Sequence, residues 1–190
     1  HVQQTSATSF NSNIRIQGLN GKYTQLLRDG LPMYGGFSSG LGLLQIAPLD
    51  LQQVEVIKGA NSTLYGGGAI AGLVNLVTKK PGIEPETSML LNATSAGGLD
   101  ASGFHTSTQG NLGKRIFASY NKSDAYDSAD NGFSAIPKFE RWTLNPHLFI
   151  EGLNSQFSFG FNAVKENRIG GDMDYIDGDR YVAAFFEKIA

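Results

Sequence analysis

From residue 88 onward the chain breaks into alternating segments, and this alternation restricts the fold more than any other feature. The segments are Ser88 to Ala96, Ala101 to Leu112, Lys114 to Ser123, Lys138 to Ile150 and Ser155 to Glu166, with a sixth starting at Tyr181. Trp142, Leu144, Leu148 and Ile150 share one side, and Arg141, Thr143, Asn145 and His147 share the other. Phe157, Phe159, Phe161 and Ala163 likewise oppose Ser158, Gly160 and Asn162. A period of two is the period of a β-strand, because successive side chains leave opposite faces of the pleat. Each segment is near or above the roughly 9–11 tilted residues that carry a strand across a bilayer. One face requires lipid or a core and the other requires water. A soluble β-sandwich has the same period, so alternation alone establishes antiparallel β-structure and no more.

The connections separate the two cases. Asn111-Leu112-Gly113-Lys114 and Glu151-Gly152-Leu153-Asn154 are tight turns, whereas Asp124 to Pro137 and Ile169 to Arg180 are long and polar. Short turns on one side and long loops on the other predict an outer-membrane barrel with its short turns in the periplasm. Gly97-Gly98-Leu99-Asp100, a short connection on the long-loop side, departs from the rule. No apolar run approaches the ~18 residues of a membrane-spanning helix, but spanning strands escape that criterion. Residues 1–13 are polar and do not read as a signal peptide.

Composition removes other classes. Lys and Arg number 15 against 17 Asp and Glu, a formal charge of -2, so the basic footprint of a nucleic-acid binder is missing. There are no cysteines, and His1, His105 and His147 lack paired ligand spacing, so no metal or cofactor is expected. Asp172, Asp174, Asp177 and Asp179 crowd one loop, but Met173 stands where an EF-hand needs its first carboxylate, leaving a solvated acidic loop or a looser calcium site. Neither G-x-S-x-G nor H-E-x-x-H is present, and no enzymatic activity is expected.

The first 82 residues have a different character. Ile14 to Gly18 and Tyr23 to Arg28 read as short strands, with turns at Asn20-Gly21 and Asp29-Gly30. Pro32 to Gly42 is a glycine-rich loop carrying Tyr34 and Phe37, and Leu43 to Ile46 can form a short helix. From Leu51 to Pro81, a half-buried strand built on Val54 and Val56 ends at Gly59. Ala60 to Tyr65 can make a helical turn, and a second strand is built on Leu73, Val74, Leu76 and Val77. Gly66, Gly67, Gly68 and Gly72 between them permit close packing or positive φ. Gly66 to Ala71 formally matches a dinucleotide fingerprint, but the residues that follow favour a strand rather than the helix such a site requires.

In order and spacing, Ile14-Arg15-Ile16-Gln17-Gly18-Leu19, Leu26-Leu27-Arg28-Asp29-Gly30-Leu31-Pro32, Val54-Glu55-Val56-Ile57-Lys58-Gly59 and the run from Ala60 to Pro81 closely resemble the plug domain of TonB-dependent outer-membrane receptors. The resemblance covers roughly residues 14–82 and implies a β-rich chain. An α+β plug, its C-terminal part at residues 1–82, precedes the antiparallel strands of an incomplete transmembrane β-barrel at 83–190. It also implies uptake of a scarce ligand, such as a ferric siderophore, haem or cobalamin, across the bacterial outer membrane. The partners implied are outer-membrane lipid, an extracellular small molecule in the form of a metal chelate, and TonB through a segment outside this chain. Gln17, the loop Met33, Tyr34, Gly35, Gly36 and Phe37, and Tyr65 are the expected ligand-facing plug tips. Glu55 and Lys58 are expected to be structural charges. A soluble all-β binding or adhesion module is the rival reading.

Overall fold

The computed structural model describes residues 2–4, 12–14, 23–33, 48–59, 71–95, 97–176, 178 and 185–189. Among these, residues through Lys79 belong to one compact unit and those from Lys80 to a second.

In the first unit, β1 (Val2–Gln4) pairs antiparallel with β2 (Ser12–Ile14). A four-stranded sheet is built from β3 (Thr24–Arg28), β4 (Leu31–Pro32), β5 (Leu51–Lys58) and β6 (Gly72–Thr78), in the order β4-β3-β6-β5. A 3-10 turn at Pro48–Asp50 leads into β5. The β3–β6 pairing is parallel and the β5–β6 pairing antiparallel. Strand β6 runs centrally, and its Leu73, Val74 and Leu76 are buried, the nearly continuous apolar run expected of an interior strand. Ala71, Val74 and Leu76 form a small core on which Tyr23, Leu26, Met33 and Leu51 pack.

Asp29-Gly30 is the predicted turn. Both residues have positive φ, +51° and +81°, as the two-residue hairpin between Arg28 and Leu31 requires. The turn is also tied to β6. Asp29 accepts bonds from the Thr78 amide (2.8 Å) and the Thr78 hydroxyl (2.7 Å), and the Gly30 amide donates to Asn75 Oδ1 at 3.0 Å. Beside it, Arg28 forms an ion pair with the buried Asp50. The half-buried β5 expected from the sequence is not found, since Val54, Val56 and Ile57 are all exposed. Among the described residues β5 is the edge of its sheet, paired with β6.

The second unit is an antiparallel meander. Its strands are β7 (Glu86–Ala93), β8 (Leu99–Gln109), β9 (Leu112–Ser123), β10 (Lys138–Glu151), β11 (Gln156–Gly160), β12 (Ala163–Gly170) and β13 (Phe185–Ile189). The sheet runs β7-β8-β9-β10-β12-β13, with β11 also beside β10. A single turn of helix, α1 (Met173–Ile176), follows β12. Strands β11 and β12 keep one register on β10, since Leu144 opposes Ala163 and His147 opposes Gly160. They are a single strand interrupted opposite Pro146, which has no N–H to donate; the Phe161 amide still reaches the Pro146 carbonyl at 3.3 Å.

The first tight turn lies earlier than the sequence implies. Gln109 opposes Leu112, so Gly110 and Asn111 make the turn and Leu112 and Gly113 already belong to β9. Gly113 mimics a turn residue for a packing reason: a Cβ there would stand 3.0 Å from Pro81 Cγ and 3.3 Å from Phe149 Cβ. The second turn, Gly152 to Ser155, lies one residue later than its expected span and is closed by a 2.7 Å bond from the Gly152 amide to the Ser155 carbonyl.

Candidate functional site

The alternation places apolar residues on the exposed face of the large sheet and polar ones on the buried face. Trp142 is 55% exposed and Phe159 82%, and Met89, Leu91, Ile116, Leu144, Leu148, Ile150, Phe157 and Phe161 are exposed with them. Between these positions in sequence, Arg141, Thr143 and Asn145 on β10 and Glu166 and Arg168 on β12 are buried. Such a sheet is reversed relative to one wall of a soluble sandwich, whose apolar faces pack together. Trp142 and Ile150 are eight residues apart on β10, a rise of roughly 27 Å, or about 20 Å along the normal at a 40° tilt, close to the apolar band of an outer-membrane barrel. At the long-loop end of that band Tyr120 and Trp142 face each other across β9 and β10 with ring centroids 4.4 Å apart, where an interfacial aromatic girdle belongs.

The buried face carries cross-strand polar rows. Asn92, Asp100, Asn121, Arg141 and Glu166 occupy one row across five strands. Asp100 accepts from Asn92 at 3.1 Å and from Asn121 at 2.8 Å. Glu166, 1% exposed, accepts from Arg141 Nε at 2.6 Å and, on its other oxygen, from Arg168 Nε at 2.7 Å. Both guanidinium groups lie over the Phe139 ring, 5.5 and 5.7 Å from its centroid. Buried charges demand such pairing, because each costs several kcal/mol to take out of water. A second row holds Thr106, Arg115 and His147, with Arg115 Nη2 3.3 Å from His147 Nδ1 and its guanidinium over Phe149. Gly160 opposes His147 because any side chain there would collide with the imidazole. Phe104 and Phe117, directly paired and buried, separate the two rows. A sheet that is apolar outside and hydrogen-bonded inside can separate lipid from a polar lumen.

The two long connections are joined to each other. Phe133 bridges Asp172, the Ser134 amide donates to the Gly171 carbonyl (2.8 Å), the Gly171 amide donates to Ser134 Oγ (2.9 Å), and the Met173 amide donates to the Gly132 carbonyl (2.9 Å). Asp127 organises the first loop by accepting from the amides of Ala129 (3.0 Å), Asn131 (2.9 Å) and Gly132 (2.7 Å). Burial pushes its carboxyl upward, but amide donation from Gly132, Ala129, Asn131 and Asp130 outweighs that and holds it below the ordinary carboxylate range. Asp172 accepts from the amides of Asp174 and Tyr175 and so caps α1. Among the described residues no three acidic or histidine side chains are grouped to hold a metal ion; Asp177 and Asp179 lie outside them.

Of the expected plug tips, Met33 is described. It is half-buried against the Ala71, Val74 and Leu76 core, and its amide donates to the Leu26 carbonyl at 3.0 Å. Gln17, Tyr34, Gly35, Gly36, Phe37 and Tyr65 lie outside the described residues, as do the glycines Gly66 to Gly68 and the expected helical turns. Glu55 accepts from Asn75 at 2.9 Å and from Gln53 at 2.7 Å. The Arg141–Glu166–Arg168 group was not singled out by sequence, although the hairpin register implied it. Once Glu151 opposes Gln156, counting back along both strands sets Arg141 opposite Glu166.

Comparison with known proteins agrees with this geometry. Residues 1–73 match the TonB-dependent Receptor Plug Domain family. The rhizobactin receptor of Rhizobium meliloti is 29% identical over 199 residues, which cover 96% of this chain and 25% of that receptor. The ferric aerobactin receptor of Klebsiella pneumoniae is 36% identical over 104 residues, 55% of this chain and 13% of that one. The chain therefore spans a quarter or less of these relatives' length. The pyoverdine outer membrane receptor FpvA from Pseudomonas aeruginosa PAO1, solved with pyoverdine bound, shares the fold with a TM-score of 0.69 at 19% identity, over 90% of this chain and 24% of its own. Residues 1–73 thus match the plug-domain family model, and the chain shares the fold of solved outer-membrane receptors.

Proposed function

We propose that this chain is the plug and the first strands of the barrel of a receptor that imports a ferric siderophore across the bacterial outer membrane, driven by TonB. The observation that carries the reading is a plug-domain match running directly into a sheet that is apolar outside and polar inside. Relatives named for rhizobactin and ferric aerobactin favour an iron chelate over haem or cobalamin. The reversed sheet disfavours the soluble adhesion module, which would bury the faces carrying Trp142 and Phe159. It is a transport role, with no chemical step for the chain to catalyse.

In this reading residues 1–82 are the plug and 83–190 the first strands. Gln17, Met33, Tyr34, Gly35, Gly36, Phe37 and Tyr65 present the extracellular ligand surface, Met33 being partly buried against the Ala71, Val74 and Leu76 core. Aromatics beside glycines on a rigid scaffold offer ring faces to a large ligand. The test is binding of ferric aerobactin and of ferric rhizobactin to purified full-length receptor. Replacing Tyr34, Phe37 and Tyr65 by Ala should weaken the bound chelate by about 1–2 kcal/mol per residue. Wild-type affinity in the triple variant would move the site off the plug, and no binding of either chelate by the wild type would remove the siderophore reading.

A further inference from the structure

Asn131 and Gly132 lie in the connection between β9 and β10, and both are exposed to water. Their surroundings bring together a nucleophile, an electrophile, a base and an oxyanion donor. The Gly132 nitrogen follows directly on Asn131, so its attack on Asn131 Cγ closes a five-membered ring within one dipeptide and needs no encounter. Gly132 has a φ of +81° and carries no Cβ beside that nitrogen. Its N–H donates to Asp127 Oδ2 at 2.7 Å, within the reach required of a general base. Asn131 Oδ1 accepts from the Phe133 amide at 3.0 Å, so a donor already stands at the oxygen on which negative charge develops when Cγ is attacked. An Asn-Gly pair in an unfolded chain has the nucleophile and the electrophile but neither the base nor the donor.

We propose that Asn131 is a self-modifying site, deamidated in the folded loop with Asp127 as base and the Phe133 amide as oxyanion donor. The Gly132 nitrogen gives up its proton and bonds to Asn131 Cγ. The bond from Cγ to the side-chain nitrogen breaks, and that nitrogen leaves with the proton as ammonia. Water then opens the succinimide at either carbonyl, leaving aspartate or, with one more atom in the backbone, isoaspartate at position 131. Water is the co-reactant, and no oxidant or reductant takes part. A carboxylate held below its ordinary range is a weak base, so the reaction is a slow clock rather than a rapid switch. The product bears on the joint between the two long connections. Its new negative charge stands in a loop that already carries Asp124, Asp127 and Asp130, and the extra backbone atom falls directly before Gly132, whose carbonyl accepts from the Met173 amide at 2.9 Å. The proposal uses this loop alone and is independent of the ligand.

The experiment ages full-length receptor at neutral pH in a non-ionic detergent, beside a synthetic peptide of residues 123–138. Heat-modifiable gel mobility verifies that the receptor stays folded, and mass spectrometry follows its tryptic peptide 123–138. Deamidation adds about 1 Da, and protein isoaspartyl methyltransferase labels the isoaspartate fraction. The folded receptor should deamidate at least tenfold faster than the peptide. Asp127→Ala should slow the folded receptor at least tenfold, even though it loosens the loop, and Asn131→Gln should remove the mass gain. In aged wild-type receptor the Met173 amide should exchange with deuterium faster than in fresh receptor. A merely exposed Asn-Gly pair behaves in the opposite way, reacting fastest in the peptide and faster in the loosened variant. Either of those results overturns the proposal, as does an equal rate in receptor and peptide, and the peptide comparison stays decisive should Asp127→Ala fail to fold. Unchanged exchange at Met173 in deamidated receptor would overturn the effect on the joint.

Discussion

Arg141 and Glu166 stand directly opposite each other on β10 and β12, with Nε and Oε2 2.6 Å apart and both side chains less than a tenth exposed. The same carboxylate serves Arg168, so removing it takes the paired negative charge from two buried guanidinium groups at once. Glu166→Ala should destabilise the folded barrel by about 3–5 kcal/mol, whereas Asn167→Ala, its exposed neighbour, should stay within about 0.5 kcal/mol. Denaturant unfolding of the receptor in lipid vesicles measures both; equal stability in the two variants would mean the pair is not needed.

The facing of β11 gives a second prediction. Phe159 and Ser158 are adjacent and both exposed, but they lie on opposite faces of the sheet. Arg at a lipid-facing midplane position costs about 2–4 kcal/mol and less toward the interfaces, while a lumen-facing position tolerates it. Phe159→Arg should therefore fold into bilayers less well than Ser158→Arg. Folding efficiency by gel mobility compares them, and parity would reverse the assignment of faces.

Gly72 opens β6 at a φ of +139°, a conformation open to glycine and strained for other residues. It pairs with Thr24 on one side and Lys58 on the other, so the backbone cannot rotate away without loosening both neighbours. Gly72→Val should destabilise the plug by about 1–3 kcal/mol. Limited proteolysis of the folded receptor should then cut within residues 1–79 at lower protease concentration, with siderophore preference unchanged.

The Asp127 loop should respond to acid. Its carboxyl is held below the ordinary range in the folded loop, so the stabilisation is complete above the unfolded value and is lost as the pH falls through the folded one. Hydrogen exchange at the Asn131 and Gly132 amides should accelerate below the normal carboxylate range. Asp127→Asn should show fast exchange already at neutral pH, with the acid dependence flattened. Exchange in the wild type that does not respond to acid beyond its intrinsic pH dependence would exclude the carboxylate as the loop's organiser.

The strands of the second unit were legible because an apolar face and a polar face impose alternation, which Trp142, Leu144, Leu148 and Ile150 keep along one side of β10. The Asp29-Gly30 turn was legible because both residues had to take positive φ. Gly113 was misread, since glycine as a turn former and glycine as a gap for Pro81 look alike in sequence. Strand β5 was misread because its valines gave a strand pattern without revealing whether another layer would cover it. The Arg141–Glu166–Arg168 group required register, which sequence supplies only after the turn at Gly152 to Ser155 is placed to the residue. The loops expected to face a ligand carry no periodicity, and it was the family resemblance, with the glycines beside Tyr34, Phe37 and Tyr65, that pointed to them.

The most direct measurement of the central claim is uptake of radio-labelled iron by cells that produce the full-length receptor as their sole siderophore receptor. Iron supplied as ferric aerobactin or ferric rhizobactin should accumulate in cells with TonB and not in cells lacking it. Deletion of residues 14–82 should abolish that dependence. Accumulation that is the same with and without TonB, or no accumulation from either chelate, would contradict the account.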